Sequence, residues 1–583
     1  MSNAQLPPIA IIADAHFHDM ESHYGCPGIS LDGQQRVLRS WADTRRSSRV
    51  FNESKAALML TLQDIEKRGI KHVVLLGDYT DDGQIEATDR LIDILRQHRK
   101  QFGTSFYAIT GNHDAYGLQG KHQSTRFVSS AGETVLVTSD PKVAATEPES
   151  AVLTPGMYCE GVADGITKMS DFGLFQRPEY VHWETPFGVN DALDARRYDA
   201  RSEDGLTTHQ LVDASYLVEP VEGLWLLMID ANVFEPRNGQ WTPSQKKAFL
   251  DSSDAGWNSV LKNRPHLIQW IVEVCARAEQ TGKTLIAFSH YPIIDPFADT
   301  ANSAMKLFGD HEMLRRKPEK SVSEKLLHSG LRMHFSGHLH VSALSQQSLD
   351  SQVLEDCAVP SLVAFPACYK VVHTNTDSLH IDSVQLSSMP LDQSLLTYYR
   401  KESTESGDAA TTALEASNYG DFLYQRMFTR VVHHYLNKEW PANIAHSIRH
   451  TTAADLALYM YSDAVETDNV DLTQQTKTAA PELLVRIEPT MADYGLNMKK
   501  LATCSMTRLV SDWYCLRHAG PVARRFMESE NLVIYQYLSD SFGDLKPEDA
   551  TTPKAFFTLL LGMLNTALQR STPENTRERT LSA

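Results

Sequence analysis

The segment at residues 72–83 reads HVVLLGDYTDDG, and the segment at residues 8–16 reads PIAIIADAH. Each contains a run of aliphatic residues that changes abruptly to Gly, Asp or His. A short apolar run that is bounded by such residues is typical of a buried strand. The two segments therefore predict two strands whose carboxyl ends carry polar side chains. The strand in residues 8–16 ends at Asp14, and the strand in residues 72–83 ends at Asp78.

Helical patterns separate these strands from each other and from a third one. Residues 50–68 and 85–102 have the apolar spacing of helices, and residues 105–110 form another apolar run that ends at Gly111-Asn112. This alternation predicts a parallel sheet with right-handed crossover connections. Because ligands bind beyond the carboxyl ends of such strands, we expect the polar side chains there to line one site.

Five short motifs follow apolar, strand-like runs of this kind. They are Asp14-Ala15-His16, Gly77-Asp78-Tyr79-Thr80-Asp81-Asp82-Gly83, Gly111-Asn112-His113-Asp114, Ser289-His290-Tyr291-Pro292 and Gly337-His338-Leu339-His340. Each motif is weak alone, but their common position is hard to explain by packing. Mixed Asp, Asn and His ligands can hold two divalent metal ions side by side, so the motifs predict a binuclear metal site.

The spacing within the motifs allows several side chains to reach the same ions. Asp14 and His16 are two residues apart at a strand end, so both can point the same way, and His338 and His340 have the same spacing. Asp78 follows a glycine, which permits a close approach of the backbone and a bridging carboxylate. The predicted metal ligands are Asp14, His16, Asp78, Asn112, His290, His338 and His340. This set lacks Cys and suits two Mn, Fe or Zn ions better than Ca²⁺.

His113 and Asp114 are predicted to be catalytic rather than metal-binding. His113 is adjacent to Asn112, and adjacent side chains diverge, which would place the His113 ring where a phosphate binds. It could then protonate a leaving oxygen as a general acid. Asp114 is expected to fix the tautomer and orientation of His113, which is a common task of a carboxylate beside a catalytic histidine.

The composition is that of an acidic globular protein. The chain has 583 residues, of which 42% are hydrophobic, and a formal net charge of −18. Its length corresponds to roughly three to four ordinary domains. A surface this acidic repels nucleic-acid backbones, so broad nucleic-acid binding is not expected. A small anionic substrate remains possible, because bound cations reverse the local field.

The cysteine content and the hydropathy of the chain predict its cellular location. The seven Cys are scattered and odd in number, which argues against a disulfide framework and favours a reducing compartment. No apolar run reaches the roughly 18 residues of a membrane span, and no signal peptide is visible. We therefore predict a cytoplasmic protein, although Ser2-Asn3-Ala4 resembles a scar of tag cleavage and an export signal could have preceded it. The oligomeric state is not indicated.

The composition and the apolar spacing of the chain change at two places. Residues 115–222 are rich in Gly, Pro, Ser, Asp and Thr, which predicts a long insertion that is functional or forms a small subdomain. After about residue 390, apolar residues recur at helical spacing and no further metal motif appears. We predict a catalytic domain over residues 1–390, with the insertion at about 115–222, and a helical C-terminal domain of undetermined role over residues 391–583.

The five motifs resemble those of the calcineurin-like metallophosphoesterase superfamily, whose pattern is D-x-H, G-D-x-x, G-N-H-D/E, a lone H and G-H-x-H, in this order. The resemblance covers roughly residues 8–385 and includes every element of the pattern. It implies an α/β fold, a four-layer α/β/β/α sandwich of two mixed sheets, here with an additional all-α C-terminal domain. It also implies a binuclear metal-dependent hydrolase of phosphoester bonds.

The resemblance further implies a role for each residue. One ion would take Asp14, His16, Asp78 and His340, and the other would take Asp78, Asn112, His290 and His338. A metal-bridging hydroxide would attack phosphorus in line while His113 assists the departure of the ester oxygen. Asp81 and Asp82 resemble an acidic pair of bacterial members, and are expected either to support the site or to be solvated turn residues.

Two other interpretations stay open at this stage. Asp14-Ala15-His16-Phe17-His18 also resembles the first motif of amidohydrolases, but that barrel fold would leave Gly-Asn-His-Asp and Gly-His-Leu-His unexplained. A catalytically weak metal-binding scaffold that acts through its helical domain is the second alternative, although no ligand is missing here. The motifs do not distinguish a monoester, a diester or a pyrophosphate, and the acidic surface favours a small soluble phosphodiester or phosphomonoester.

Overall fold

The computed structural model describes residues 6–129, 132–245, 247–375, 378–407, 412–462, 472, 481–543 and 552–571, so residues 2–4 lie outside it. The strands of these ranges are β1 (Ile9–Ile12), β2 (Ile29–Leu31), β3 (Gln34–Arg36), β4 (His72–Leu76), β5 (Ser105–Ile109), β6 (Ser124–Val128), β7 (Thr134–Thr138), β8 (Val152–Leu153), β9 (His182–Glu184), β10 (Arg197–Arg201), β11 (Thr208–Val212), β12 (Tyr216–Val221), β13 (Leu224–Met228), β14 (Thr284–Phe288), β15 (Met333–Ser336), β16 (Ala343–Leu349), β17 (Gln352–Ala358), β18 (Cys368–Asn375) and β19 (Ser378–Gln385).

The longer helices divide into two groups along the chain. Those before residue 390 are α1 (Ser54–Lys67), α2 (Ile85–Phe102), α3 (Val162–Lys168), α4 (Ser252–Asn263), α5 (Pro265–Thr281), α6 (Ala301–Phe308) and α7 (Lys320–His328). Those after it are α8 (Gln393–Glu405), α9 (Tyr419–Arg430), α10 (Ala442–His450), α11 (Ala453–Tyr461), α12 (Pro481–Ala492), α13 (Met498–Thr503), α14 (Met506–Ala519), α15 (Ser529–Phe542) and α16 (Pro553–Arg570). In the described ranges, no helix is both long and apolar enough to cross a membrane.

Two mixed sheets form the N-terminal part. The first has five strands in the order β19-β18-β1-β4-β5, and the second has seven in the order β16-β17-β15-β14-β13-β12-β9. β4 pairs in parallel with both β1 and β5, which confirms the predicted parallel arrangement. β13, β14 and β15 are likewise parallel neighbours. Parallel strands end at the same edge of a sheet, so their terminal side chains become neighbours.

Alternate residues of β13 pack into different cores. Leu224 and Leu226 belong to a core that includes β1, β4 and β5, whereas Trp225 and Leu227 pack with helices α4 and α5. This alternation is expected for a strand that is buried on both faces. The predicted class, α/β with an additional helical C-terminal region, is confirmed, while the four-layer order stays a prediction.

Residues 115–222 are more regular than their composition predicted. β9 and β12 are strands of the seven-stranded sheet, β6, β7 and β8 form a separate three-stranded sheet, and β10 pairs with β11. These strands have between 2 and 6 residues, for example 2 in β8 and 6 in β12. So short a strand gives little alternation in the sequence, which is why the pattern predicted an irregular insertion.

The helical C-terminal region is fixed to the sheet region by buried polar contacts. The Glu402 carboxylate accepts hydrogen bonds from the backbone N–H groups of Trp41 and Ala42, at 2.8 and 2.9 Å. The buried Arg426 donates from Nη1 to the carbonyl oxygens of Thr44 and Ser47, both at 2.9 Å. These contacts place α8 and α9 beside the loop that follows β3. The domain boundary near residue 390 stays a prediction.

Candidate metal centre

The seven predicted ligands lie at or just beyond the carboxyl ends of strands from both sheets. β1, β4 and β5 end before Asp14, Asp78 and Asn112, and β14 and β15 end before His290 and His338. The two sheets contact each other here, because the backbone N–H of His338 donates to the Asp14 carboxylate at 3.0 Å. The fold therefore brings together five segments that span more than 300 residues of sequence.

Asp14, His16 and His340 form the first group of converging donor atoms. The Nε2 atoms of the two histidines are 3.1 Å apart. Asp14 Oδ1 lies 3.3 Å from Nε2 of His340 and 3.9 Å from Nε2 of His16. All three ligand atoms lie within 4.8 Å of one another, so they could hold one ion. This group matches three of the four ligands predicted for the first ion.

Asp78, His290 and His338 form a second group. Asp78 Oδ2 lies 3.3 Å from His290 Nε2 and also 3.9 Å from His16 Nε2, so this carboxylate stands between the two groups. His290 uses Nδ1 to contact the carbonyl oxygen of Leu76 at 2.9 Å, which leaves Nε2 directed at Asp78. Backbone partners of this kind fix the tautomer of a metal-binding histidine.

Asn112 and His338 share a partner that the sequence did not indicate. Asn112 Nδ2 donates to Ser253 Oγ at 3.1 Å, and Nε2 of His338 contacts the Ser253 carbonyl oxygen at 3.0 Å. Asn112 Oδ1 is buried and has no hydrogen-bond partner among the described residues. A buried amide oxygen without a donor is expected to face a cation. The donor set therefore fits two metal ions with oxygen and imidazole ligands.

The backbone is strained at most of these positions. In the described ranges, seven residues other than Gly have a positive φ, and five of them are predicted ligands: Asp14, His16, Asp78, His338 and His340. Such conformations cost on the order of 1–3 kcal/mol each for L-residues and persist where the surrounding structure enforces them. Their concentration at one place supports a functional rather than a packing role for these five side chains.

Glycines next to the ligands allow the segments to approach closely. A Cβ atom at Gly111 would lie 2.8 Å from Cγ of Asp78, and one at Gly337 would lie 2.6 Å from Oδ2 of Asp14. Real Cβ atoms do not make contacts this short, so any side chain there would displace a ligand. The Gly in Gly-Asn-His and in Gly-His-Leu-His is therefore a steric requirement of the site.

Gly111→Ala is expected to lower phosphoesterase activity and metal content together, although Gly111 is not itself a ligand. Because a displacement of about 1 Å at a reacting centre can cost on the order of 10²-fold in rate, we expect a loss of that size. The matched control is Gly156→Ala, where the added Cβ would meet its nearest neighbour at 3.4 Å. Equal activity and metal content in the two variants would contradict the steric account.

Two of the four histidines that would bind the ions, His16 and His338, are held neutral, whereas the carboxylates of Asp78 and Asp14 raise the pKa of His290 to about 10. Burial lowers the pKa of His16 well below its usual value, and the positive charge of Arg49 adds to this effect. Burial, together with the neighbouring His290, also lowers the pKa of His338. Neutral imidazole is the form that coordinates a metal, so His16 and His338 do not have to lose a proton at neutral pH before binding one.

His113 lies at the edge of the same site, with 26% of its side chain exposed. Its backbone N–H donates to Asp78 Oδ1 at 2.8 Å, and its Nδ1 lies 2.8 Å from Asp82 Oδ1. Desolvation alone would lower the pKa of His113, but the carboxylates of Asp78 and Asp82 outweigh it and raise this pKa. A protonated imidazole beside a reacting phosphate can act as a general acid. With His16 and Asp78, His113 also forms a third group that could hold an ion.

Asp114 does not take the position expected for it. Its Oδ1 accepts hydrogen bonds from the backbone N–H and the hydroxyl of Thr80, and its Oδ2 accepts one from the backbone N–H of Gly111. The side chain therefore turns away from His113 and fastens the loop after β4 to the loop after β5. The expectation that Asp114 orients His113 is corrected by these contacts, and Asp82 is the carboxylate that contacts His113.

An arginine outside the five motifs hydrogen-bonds Asp81 and lies near Asp82. Arg49 donates from Nε and Nη2 to Oδ1 of Asp81, at 2.9 and 2.8 Å, and its Nη2 lies 3.7 Å from Asp82 Oδ1. The acidic pair is therefore part of the site's support and not a solvated turn. Arg49 and Ser253 belong to no recognisable motif, and no signal in a single sequence would have found them.

The N-terminal part of the chain matches one protein family. Residues 7–185 match the family model described as calcineurin-like phosphoesterase, a range that contains the first three motifs but not the last two. No curated protein matches the sequence. Among solved structures, that of a dimetal phosphatase from Danio rerio is 13% identical, with a TM-score of 0.36, and the match covers 66% of this chain and 97% of that chain. A structural likeness this weak supports no argument about function.

The family match is independent of the structure and covers the segments around Asp14, Asp78 and Asn112. It confirms the resemblance drawn from the motifs and the enzyme class that the resemblance implied. Over residues 7–185, the chain matches the calcineurin-like phosphoesterase family, and this match supports a phosphoester hydrolase.

Proposed function

We propose that the protein is a binuclear metal-dependent hydrolase of a small soluble phosphomonoester or phosphodiester. The observation that supports this most directly is the position of Asp78. Its carboxylate lies 3.3 Å from His290 Nε2 and 3.9 Å from His16 Nε2, between two groups of donor atoms. A carboxylate that serves both groups is what two neighbouring ions require.

The proposed ligands divide between the two ions as the family resemblance implied. Asp14, His16, Asp78 and His340 would hold one ion, and Asp78, Asn112, His290 and His338 would hold the other. When bound, the two ions supply positive charge to the phosphoryl oxygens and lower the pKa of a water molecule. Ligands of carboxylate, amide and imidazole type are compatible with Mn, Fe or Zn.

Residues of the chain itself would complete the reaction. The oxygen of water adds to phosphorus and releases a proton to solvent, the bond from phosphorus to the ester oxygen breaks, and the leaving oxygen takes a proton from His113. His113 then regains a proton from solvent. Asp82 contacts Nδ1 of His113, so Nε2 is the nitrogen that donates the proton. Arg49 holds the acidic pair in place and thereby keeps the His113 ring oriented.

The proposed ligands lie in a cleft whose lining includes Asp78, Asn112, His113, His338 and His340. Sites for small molecules are typically concave and carry a few convergent polar groups of this kind. The net charge of −18 also disfavours a long anionic polymer, so a small ester is the substrate we propose.

Removing the metals should abolish activity, and restoring them should recover it. We expect chelator-stripped protein to be inactive on bis-p-nitrophenyl phosphate and p-nitrophenyl phosphate, and to regain turnover when Mn²⁺ is added. Metal binding to the native state should also raise the melting temperature. The ratio of the two rates would show whether diesters or monoesters are preferred. If neither substrate were hydrolysed while elemental analysis confirmed two ions per chain, the proposed activity would be contradicted.

A further inference from the structure

The C-terminal helices supply part of the wall of the metal cleft. Arg430 at the end of α9, Tyr435 and Glu439 after it, and Arg517 and His518 in α14 line the same cleft as the proposed ligands. The backbone N–H of Ser342, two residues after His340, donates to the His518 carbonyl oxygen at 2.7 Å. The helical region is therefore joined directly to the loop that carries two proposed metal ligands.

Two arginines of this wall are held by aromatic rings and not by carboxylates. The guanidinium carbon of Arg430 lies 4.5 Å from the ring centroid of Tyr435, and that of Arg517 lies 3.9 Å from the ring centroid of Phe297. Stacking of this kind fixes the plane of the guanidinium group while its N–H edge stays available for hydrogen bonds. Both groups are thus oriented before any ligand binds.

Neither guanidinium has an acidic partner in the part of the chain that is described. The Nε atoms of Arg430 and Arg517 are buried without a hydrogen-bond partner there. The other two arginines of the cleft have acidic partners, since Arg49 pairs with Asp81 at 2.8 Å and Arg316 with Asp254 at 3.5 Å. A guanidinium group without an acidic partner in the protein is expected to meet an anion from outside.

The remaining charges of the wall do not cancel this positive potential. Glu439 is the acidic side chain that the helical region contributes to the cleft, and its Oε1 lies 3.4 Å from Nε2 of His434. His518 is buried, and burial together with Arg517 lowers its pKa well below the usual value, so it adds no positive charge at neutral pH. Asp295 and Arg570 also act on Arg517, with opposite signs, so two guanidinium groups against one carboxylate leave a net positive subsite.

We propose that Arg430 and Arg517 bind a second phosphate group of the substrate while the reacting phosphate occupies the metal centre. The inference rests on the proposed function and narrows its substrate class to small phosphoesters that carry two phosphate groups. Guanidinium groups match phosphate oxygens with paired hydrogen bonds, and such bonds are stronger in a partly desolvated cleft.

A matched pair of substrates tests this subsite. Butyl phosphate and butane-1,4-diol bisphosphate differ only in the second phosphate, and release of inorganic phosphate measures both. Because the bisphosphate has two equivalent ends, a ratio of kcat/KM near two is the purely statistical result. We expect a ratio of about 10 or more in the wild type, since two charge-assisted contacts are added. Comparing diol bisphosphates with two to six carbons between the phosphate groups would show which distance gives the highest kcat/KM.

Three variants show whether the arginines cause the preference. Arg430→Gln and Arg517→Gln should each bring the ratio towards two, whereas Arg525→Gln should keep the wild-type ratio. Arg525 is an exposed residue of the same helical region and serves as the matched control. Melting curves of all variants would confirm that the fold is kept. A wild-type ratio near two at every chain length, or a preference that survives both substitutions, would overturn the subsite.

A binding measurement separates failure of the subsite from failure of the proposed function. Propane-1,3-bisphosphonate and propylphosphonate cannot be hydrolysed, so calorimetry can compare their affinities for the metal-loaded protein without turnover. Tighter binding of the bisphosphonate that is lost in Arg517→Gln supports the subsite even if no ester is hydrolysed. Equal affinities of the two phosphonates, with esters still hydrolysed, would overturn the subsite and leave the proposed function intact.

Discussion

Replacing Asp78 with Asn is expected to lower kcat/KM for phosphoester hydrolysis by about 10²-fold or more, because a single carboxylate would serve both ions. Asp78 Oδ2 lies within 4 Å of Nε2 of both His290 and His16, and its Oδ1 accepts the backbone N–H of His113. Asn has nearly the same shape and can keep one oxygen in place, but it removes the negative charge. We therefore expect fewer bound ions, measured by elemental analysis after dialysis.

The control for this variant is Asp93→Asn, an exposed position in α2 that has no part in the site. It should retain both activity and metal content. Melting curves of the two variants would show whether Asp78→Asn keeps the fold. A folded Asp78→Asn protein with wild-type kcat/KM and two ions per chain would rule out the bridging role.

Replacing His113 with Ala should reduce hydrolysis of phenyl phosphate by about 10²-fold, since general acid catalysis typically contributes 10²–10⁴-fold. The loss should depend on the leaving group. Phenolate is a poor leaving group that benefits from a proton, whereas 2,4-dinitrophenolate leaves readily without one. We therefore expect a much smaller loss with 2,4-dinitrophenyl phosphate, measured as kcat with the metals saturating.

This dependence distinguishes a general acid from a metal ligand. His113 also belongs to a group of donor atoms with His16 and Asp78 that could hold an ion, so metal content has to be measured as well. Loss of an ion and equal losses with both leaving groups would assign His113 to metal binding instead. His446→Ala, at an exposed position of α10, is the control and should change neither rate.

Local sequence patterns were sufficient for the strands that carry the ligands. β4 and α2 begin and end at the residues predicted from the apolar run and the helical spacing, because each is a continuous buried element with polar residues at its ends. The same patterns failed over residues 115–222, where strands of two to six residues are too short to show a period. β9 and β12 are stabilised by their neighbours in the sheet and not by local propensity.

The sequence by itself determined the chemical nature of the site. Five motifs specified its Asp, Asn and His side chains, because donor type and the spacing of alternate residues are local properties. Only the tertiary structure decided which side chains contact one another. In the folded protein, His113 contacts Asp82 and not Asp114, and Arg430 and Arg517 lie in the wall of the cleft. These contacts join residues that are far apart in sequence. They are determined by long-range packing, which cannot be recognised in the sequence of any single segment.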